Sequence, residues 1–126
     1  MVASKLSKIV IALALIFSGE GFLMSEPKII RVKDFGAVPG MSNAAPGIQK
    51  ALNQAAALGE PAVVLFEPGV YDLDVPGKDS DYALSLKNAK DVSLNGNGAM
   101  LRIRNPAIGG VLLSAGRNVS MRSFLI

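Results

Sequence analysis

The sequence predicts a mainly β protein of solenoid type, with short strands stacked turn upon turn and one helix closing an end. Three observations carry this. The segments ALSLKNAKDVSL, beginning at Ala83, and GVLLSAGRNVSM, beginning at Gly110, align without gaps, apolar on apolar. Within both copies and the run between them, apolar residues alternate with polar ones, the period of a strand. A single stretch with helical spacing, residues 42–59, follows the first strand.

Taken in order, PKIIRVKDFG is a strand with Ile30 and Val32 facing inward and Lys28, Arg31 and Lys33 outward, ending in a turn over Asp34 to Gly36. Gly36 permits the tight exit. The helix has Ser42 or Asn43 as its N-cap, Pro46 in its first turn, Ile48, Leu52 and Ala55 on one face, and Gly59 as its stop, giving about three turns. PAVVLFEPGVYDLDVPG gives two strands around Glu67-Pro68-Gly69, closed by Pro76-Gly77, and KDSDY is a loop. The repeat then aligns Leu84 with Val111, Leu86 with Leu113, Val92 with Val119 and Leu94 with Met121. Between the copies AMLRIR adds a strand with Leu101 and Ile103 inward and Met100, Arg102 and Arg104 outward. These ten apolar residues from Leu84 to Met121 are the expected core, and Asn95-Gly96-Asn97-Gly98 and Gly109-Gly110 are expected at corners between strands.

At 126 residues the chain holds one domain at most. Cysteine and histidine are both absent, which excludes disulfides, thiol nucleophiles, Cys/His zinc sites and a histidine base. Lys5 and Lys8 precede an apolar run over residues 9–17 and the small residues Ser18, Gly19 and Gly21, the layout of a secretory signal peptide over residues 1–21. As a helix that run reaches about 14 Å against a hydrocarbon core of roughly 30 Å, so it is too short to span. The expected product is a secreted or periplasmic domain of residues 22–126 with no lipid-bearing cysteine and no stable membrane anchor. Loss of two lysines and one glutamate with the signal lowers the net charge from +3 to +2, too mild for nucleic acid or an anionic membrane.

The motifs fall in a telling order: a strand, Asp34-Phe35-Gly36-Ala37, a helix with Ile48-Gln49 and Ala51, then LFEPGVYDL, then DVSLNGNGAML and NVSMRSFLI. In this, residues 28–126 resemble the N-terminal part of the pectate lyase-like family, which includes rhamnogalacturonase and epimerase-like members. The resemblance implies a right-handed parallel β-helix, a single-stranded solenoid with an N-terminal capping α-helix, truncated after about two coils. It implies a parent glycoside hydrolase or polysaccharide lyase acting on polysaccharide, its catalytic coils lying beyond this chain. The fragment itself is then expected to be inactive and prone to self-association through its C-terminal end. A non-catalytic surface-binding or adhesin module is the alternative. One departure is GMSNAAPG, where the family commonly has consecutive aspartates.

No residue stands out as catalytic, and no metal or cofactor is expected. Asp72 and Asp74 share a strand face, as glycosidase carboxylates do, but a solvated strand edge explains them better. Asp79 and Asp81 offer too few oxygens for calcium. Arg102, Arg104, Arg117 and Arg122 are the candidate substrate-binding residues, read as an outer basic strip for the carboxylates of an acidic polysaccharide. Tyr71 and Tyr82 are more readily packing residues than sugar platforms. NGNG runs into a strand rather than a helix, which argues against phosphate. Asn118-Val119-Ser120 matches a glycosylation acceptor but places Val119 inward, so it is set aside.

Overall fold

A computed structural model describes residues 26–77 and 81–125. The segment expected to be a signal peptide, residues 1–21, lies outside the described residues, as do Asp79 and Ile126.

Strand β1 (Lys28–Arg31) buries Ile30, and the chain then tightens into a 3-10 turn over Val32–Phe35 rather than continuing as a strand. Val32 is still fully buried. Gly36 closes the turn at φ 88°, a conformation that costs a side chain but not glycine. Helix α1 (Ala45–Leu58) has 14 residues, closer to four turns than three. Ala44, not Ser42 or Asn43, occupies the N-cap position. The capping oxygen nevertheless comes from Asn43, whose Oδ1 accepts the Ala45 N–H at 3.1 Å. Ala45, Ile48, Ala51, Leu52 and Ala55 form the buried stripe of the helix, and Gly59 ends it at φ 71°.

Seven more strands follow: β2 (Ala62–Leu65), β3 (Gly69–Leu73), β4 (Tyr82–Lys87), β5 (Val92–Asn95), β6 (Ala99–Ile103), β7 (Gly109–Ser114) and β8 (Ser120–Arg122). Every pairing between them is parallel, in three sheets ordered β1-β2-β5-β8, β3-β6 and β4-β7. From β2 onward the chain visits the three sheets in rotation. The protein is therefore mainly β, with one α-helix and parallel sheets.

The register follows the repeat. Leu84 pairs with Val111, Leu86 with Leu113 and Leu94 with Met121, at the same offset of 27 that separates Asn118 from Asp91. One turn earlier the offset is 30, as in Ala62 with Val92 and Asp72 with Arg102. The difference lies in the longer connection from β3 to β4 than from β6 to β7.

Side chains alternate as the period of two requires. Leu84, Leu86, Val92 and Leu94 are buried, and Leu101, Ile103, Val111, Val119 and Met121 are half-buried against the same core. Leu113 departs from expectation at 39% exposure, because β7 has a strand only on its β4 side among the described residues. Gly109 and Gly110 also depart: they open β7 instead of turning a corner. Gly109 lies under the Tyr82 ring, where an added Cβ would come within 2.8 Å of Cδ1. The corner falls earlier, at Asn105, whose Oδ1 accepts the Ala107 N–H at 2.9 Å. Among the described residues no helix is long and apolar enough to cross a membrane.

Candidate binding surfaces

Alternation along β3 sends Tyr71 and Leu73 into the core and Asp72 outward, directly opposite Arg102 on β6. Arg102 grips Asp72 in a fork, with Nε donating to Oδ1 at 2.5 Å and Nη2 to Oδ2 at 3.0 Å. Arg104 adds Nη1 at 3.6 Å from Oδ1. The arginines remain half-exposed, whereas the Asp72 side chain keeps only 15% of its surface. The hydrogen bonds from Arg102, reinforced by both positive charges, hold the Asp72 carboxyl below the ordinary aspartate range despite some desolvation. Asp72 is thus an anion with both oxygens engaged, the opposite of a proton-donating general acid. Asp74 lies past the end of β3, and its backbone is held by Asn43, which accepts its N–H and donates to its C=O, both at 3.0 Å.

The remaining two arginines belong to another side of the molecule. Arg122 sits on β8, in register with Asn95 of β5, and Arg117 forms a parallel bridge with Lys90 in the turn before β8. Between Arg104 and Arg117 the chain runs through β7 on the third sheet. The expected strip of four is therefore divided: Arg102 and Arg104 form one cluster, and Arg117 and Arg122 line the four-stranded sheet.

Tyr71 is fully buried, edge-to-face with Phe66 at 5.4 Å, and its hydroxyl accepts the Glu67 N–H at 2.8 Å. Burial pushes its phenol above the ordinary value. Tyr82, 43% exposed, rests on Gly109.

On the outer face of the four-stranded sheet the register aligns Ile29, Val63, Ser93 and Ser120 in one row and Arg31, Leu65, Asn95 and Arg122 in another. Beside the first row stand Asp91 and Asn118, both left-handed at φ 56° and 55°, with Asn118 Nδ2 donating to Asp91 Oδ1 at 2.8 Å. Pro27 and Pro61 close the other end of a groove of about 310 Å³ over these residues. From the sequence, Asn118 and Ser120 stand out only as part of the discarded glycosylation acceptor, although the repeat pairs Asp91 with Asn118 and Ser93 with Ser120. Among the described residues no group of three or more acidic, histidine or cysteine side chains gathers to hold a metal.

No protein-family model matches the chain, and no curated protein matches it.

Proposed function

We propose that the chain builds turns of a right-handed parallel β-helix of the pectate lyase-like kind, with α1 as its cap, in an exported protein that acts on polysaccharide. The observation that supports this most is the rotation of the strands through three parallel sheets at a near-constant offset from turn to turn. Parallel crossovers are right-handed in about 98% of cases, which gives the hand. Such stacking lays outward side chains in straight rows about 4.8 Å apart, a regular array for an extended polymer. Lys5, Lys8 and the short apolar run after them supply the route out of the cell.

Within this reading the engagement of Asp72 by two arginines favours binding over catalysis on the β3-β6 side. A non-catalytic surface-binding module is accordingly the second reading. Sedimentation of the full chain with insoluble preparations of pectin, rhamnogalacturonan, alginate, xylan and mannan tests the polysaccharide assignment. Retention by at least one is expected; recovery of all protein in every supernatant overturns it. Release of reducing ends or unsaturated products from a retained polymer overturns the expectation that these turns are inactive on their own.

A further inference from the structure

The geometry points to a subsite for a neutral, hydroxyl-rich sugar unit in the groove over Ser93 and Ser120, an inference that rests on the polysaccharide reading above. The groove is lined by two kinds of surface. Pro27, Pro61 and Val63 contribute apolar faces, and Ser93, Ser120, Asp91 and Asn118 contribute polar groups. A pyranose carries the same division, with C–H groups on its faces and hydroxyls at its edge. Pyrrolidine rings and a valine suit the first, and hydroxyl, carboxylate and amide oxygens suit the second.

The polar groups are placed by the backbone rather than by chance side-chain rotation. Ser93 and Ser120 are direct partners in the β5-β8 pairing, which puts their hydroxyls about 4.8 Å apart on one face. Neither hydroxyl has a hydrogen bond to the described residues. Asp91 and Asn118 share a left-handed conformation one turn apart, which both residue types tolerate. Their mutual bond uses Oδ1 of Asp91 and an Asn118 N–H, so the second carboxylate oxygen and the Asn118 carbonyl oxygen stay available as acceptors. Acceptors for sugar hydroxyls therefore outnumber donors.

Charge sets the selectivity. Asp91 brings an acidic side chain to the groove lining, and no lysine or arginine lines it. A uronate placed there brings a second carboxylate against Asp91, a like-charge contact that disfavours binding. The groove is thus matched to neutral sugars, unlike the acidic polymer expected for the arginine strip.

The test is isothermal titration of the full chain with neutral hexasaccharides of xylose, galactose and mannose and with hexagalacturonate. At least one neutral hexasaccharide should bind, more tightly than hexagalacturonate. Ser93→Arg should weaken it at least tenfold, and Ser120→Arg, one strand away, repeats the test if Ser93→Arg does not fold. Asp91→Asn preserves size and the left-handed backbone, and should narrow the preference over hexagalacturonate at least threefold. Binding of hexagalacturonate alone, insensitive to both serine variants, leaves the polysaccharide reading standing and overturns this subsite. So does neutral binding that Ser93→Arg and Ser120→Arg leave unchanged, and an unmoved preference in Asp91→Asn overturns the selectivity argument. No binding to any hexasaccharide, together with no sedimentation on any polymer, removes both readings.

Discussion

The side-chain amide of Gln49 pairs with the backbone of Ser85 as a strand would: Nε2 donates to the Ser85 C=O at 2.8 Å and Oε1 accepts its N–H at 2.9 Å. Ser85 lies on β4, whose other edge is occupied by β7. An open edge invites pairing with a foreign strand, and here a helix residue closes it. Asn43 does the same for Asp74 at the end of β3, while Gly40 and Ala44 donate to the carbonyls of Val70 and Asp72. The edge of β2 is therefore closed by strand β1, and those of β3 and β4 by amides near or on α1.

Replacing Gln49 tests this directly. Gln49→Ala strands a partly buried N–H and C=O at Ser85, each costing about 1–3 kcal/mol when unsatisfied, with water able to recover part. A loss of about 1–3 kcal/mol is expected, seen as a lower urea midpoint with an unchanged slope. Gln49→Glu should be no better, since it sets a carboxylate against the Ser85 carbonyl. A midpoint equal to the parent in Gln49→Ala removes the edge-closing role.

Asp72 gives a pH signature. Its folded carboxyl titrates below the ordinary aspartate value of about 3.9, chiefly because Arg102 hydrogen-bonds the anion. A depressed folded pKa means that the unfolded chain takes up its proton first. The stability from this site is therefore complete above about pH 5 and is lost as the pH falls below about 4, toward the folded pKa. Melting curves of the parent and Asp72→Asn should differ at pH 7 and draw together as the pH falls below about 4. The gap should also shrink in high salt, because the arginines are half-exposed. A gap that persists unchanged at pH 2 points to packing instead of charge.

The register makes neighbouring residues opposite in consequence. Leu94, between its sheet partners Val64 and Met121, is fully buried, whereas Ser93 faces out. Leu94→Ala should cost about 2–5 kcal/mol. Ser93→Ala should stay within about 0.5 kcal/mol. Similar costs at the two positions contradict the alternation, since a slip by one residue exchanges every inward and outward side chain.

Much of this architecture was legible because it is periodic. Leu84, Leu86, Val92 and Leu94 have apolar counterparts one turn later in Val111, Leu113, Val119 and Met121, and strict alternation leaves only one face for each. The helix was legible from Ile48, Leu52 and Ala55, but its start was misplaced because Asn43 caps it from one position outside. Gly109-Gly110 reads as a corner by composition; only the Tyr82 ring above Gly109 explains glycine inside a strand. The surface was harder still. Arg102 and Arg104 look like free cations until the register sets Asp72 opposite them, and Arg117 looks adjacent until the chain is seen to pass through a third sheet. Sequence shows which residues point outward, but grouping them needs the corners.

Gly47 brings local propensity and tertiary packing into conflict. It lies inside α1, where alanine is better than glycine by about 1 kcal/mol. Propensity alone makes Gly47→Ala stabilising. The structure reverses the sign, because an added Cβ would stand 2.7 Å from the Phe35 carbonyl oxygen and 3.0 Å from Ala37 Cβ and N. Those are backbone atoms or the first atom of a side chain, so no rotamer change relieves the clash. They are also fixed: the Gly36 N–H donates to the Lys33 C=O at 3.0 Å, the Ala37 N–H donates to the Val32 C=O at 3.1 Å, and Ala37 is fully buried. Overpacking of this kind costs about 1–3 kcal/mol, which exceeds the propensity gain and leaves a net loss of about 1 kcal/mol. In a domain of this size that lowers Tm by about 4–8 °C. Amide chemical shifts should move most at residues 35–37, where the helix meets the turn. An unchanged or raised Tm with those shifts in place shows that the turn yields freely, and that the Asp34-Phe35-Gly36-Ala37 segment does not fix the position of the helix.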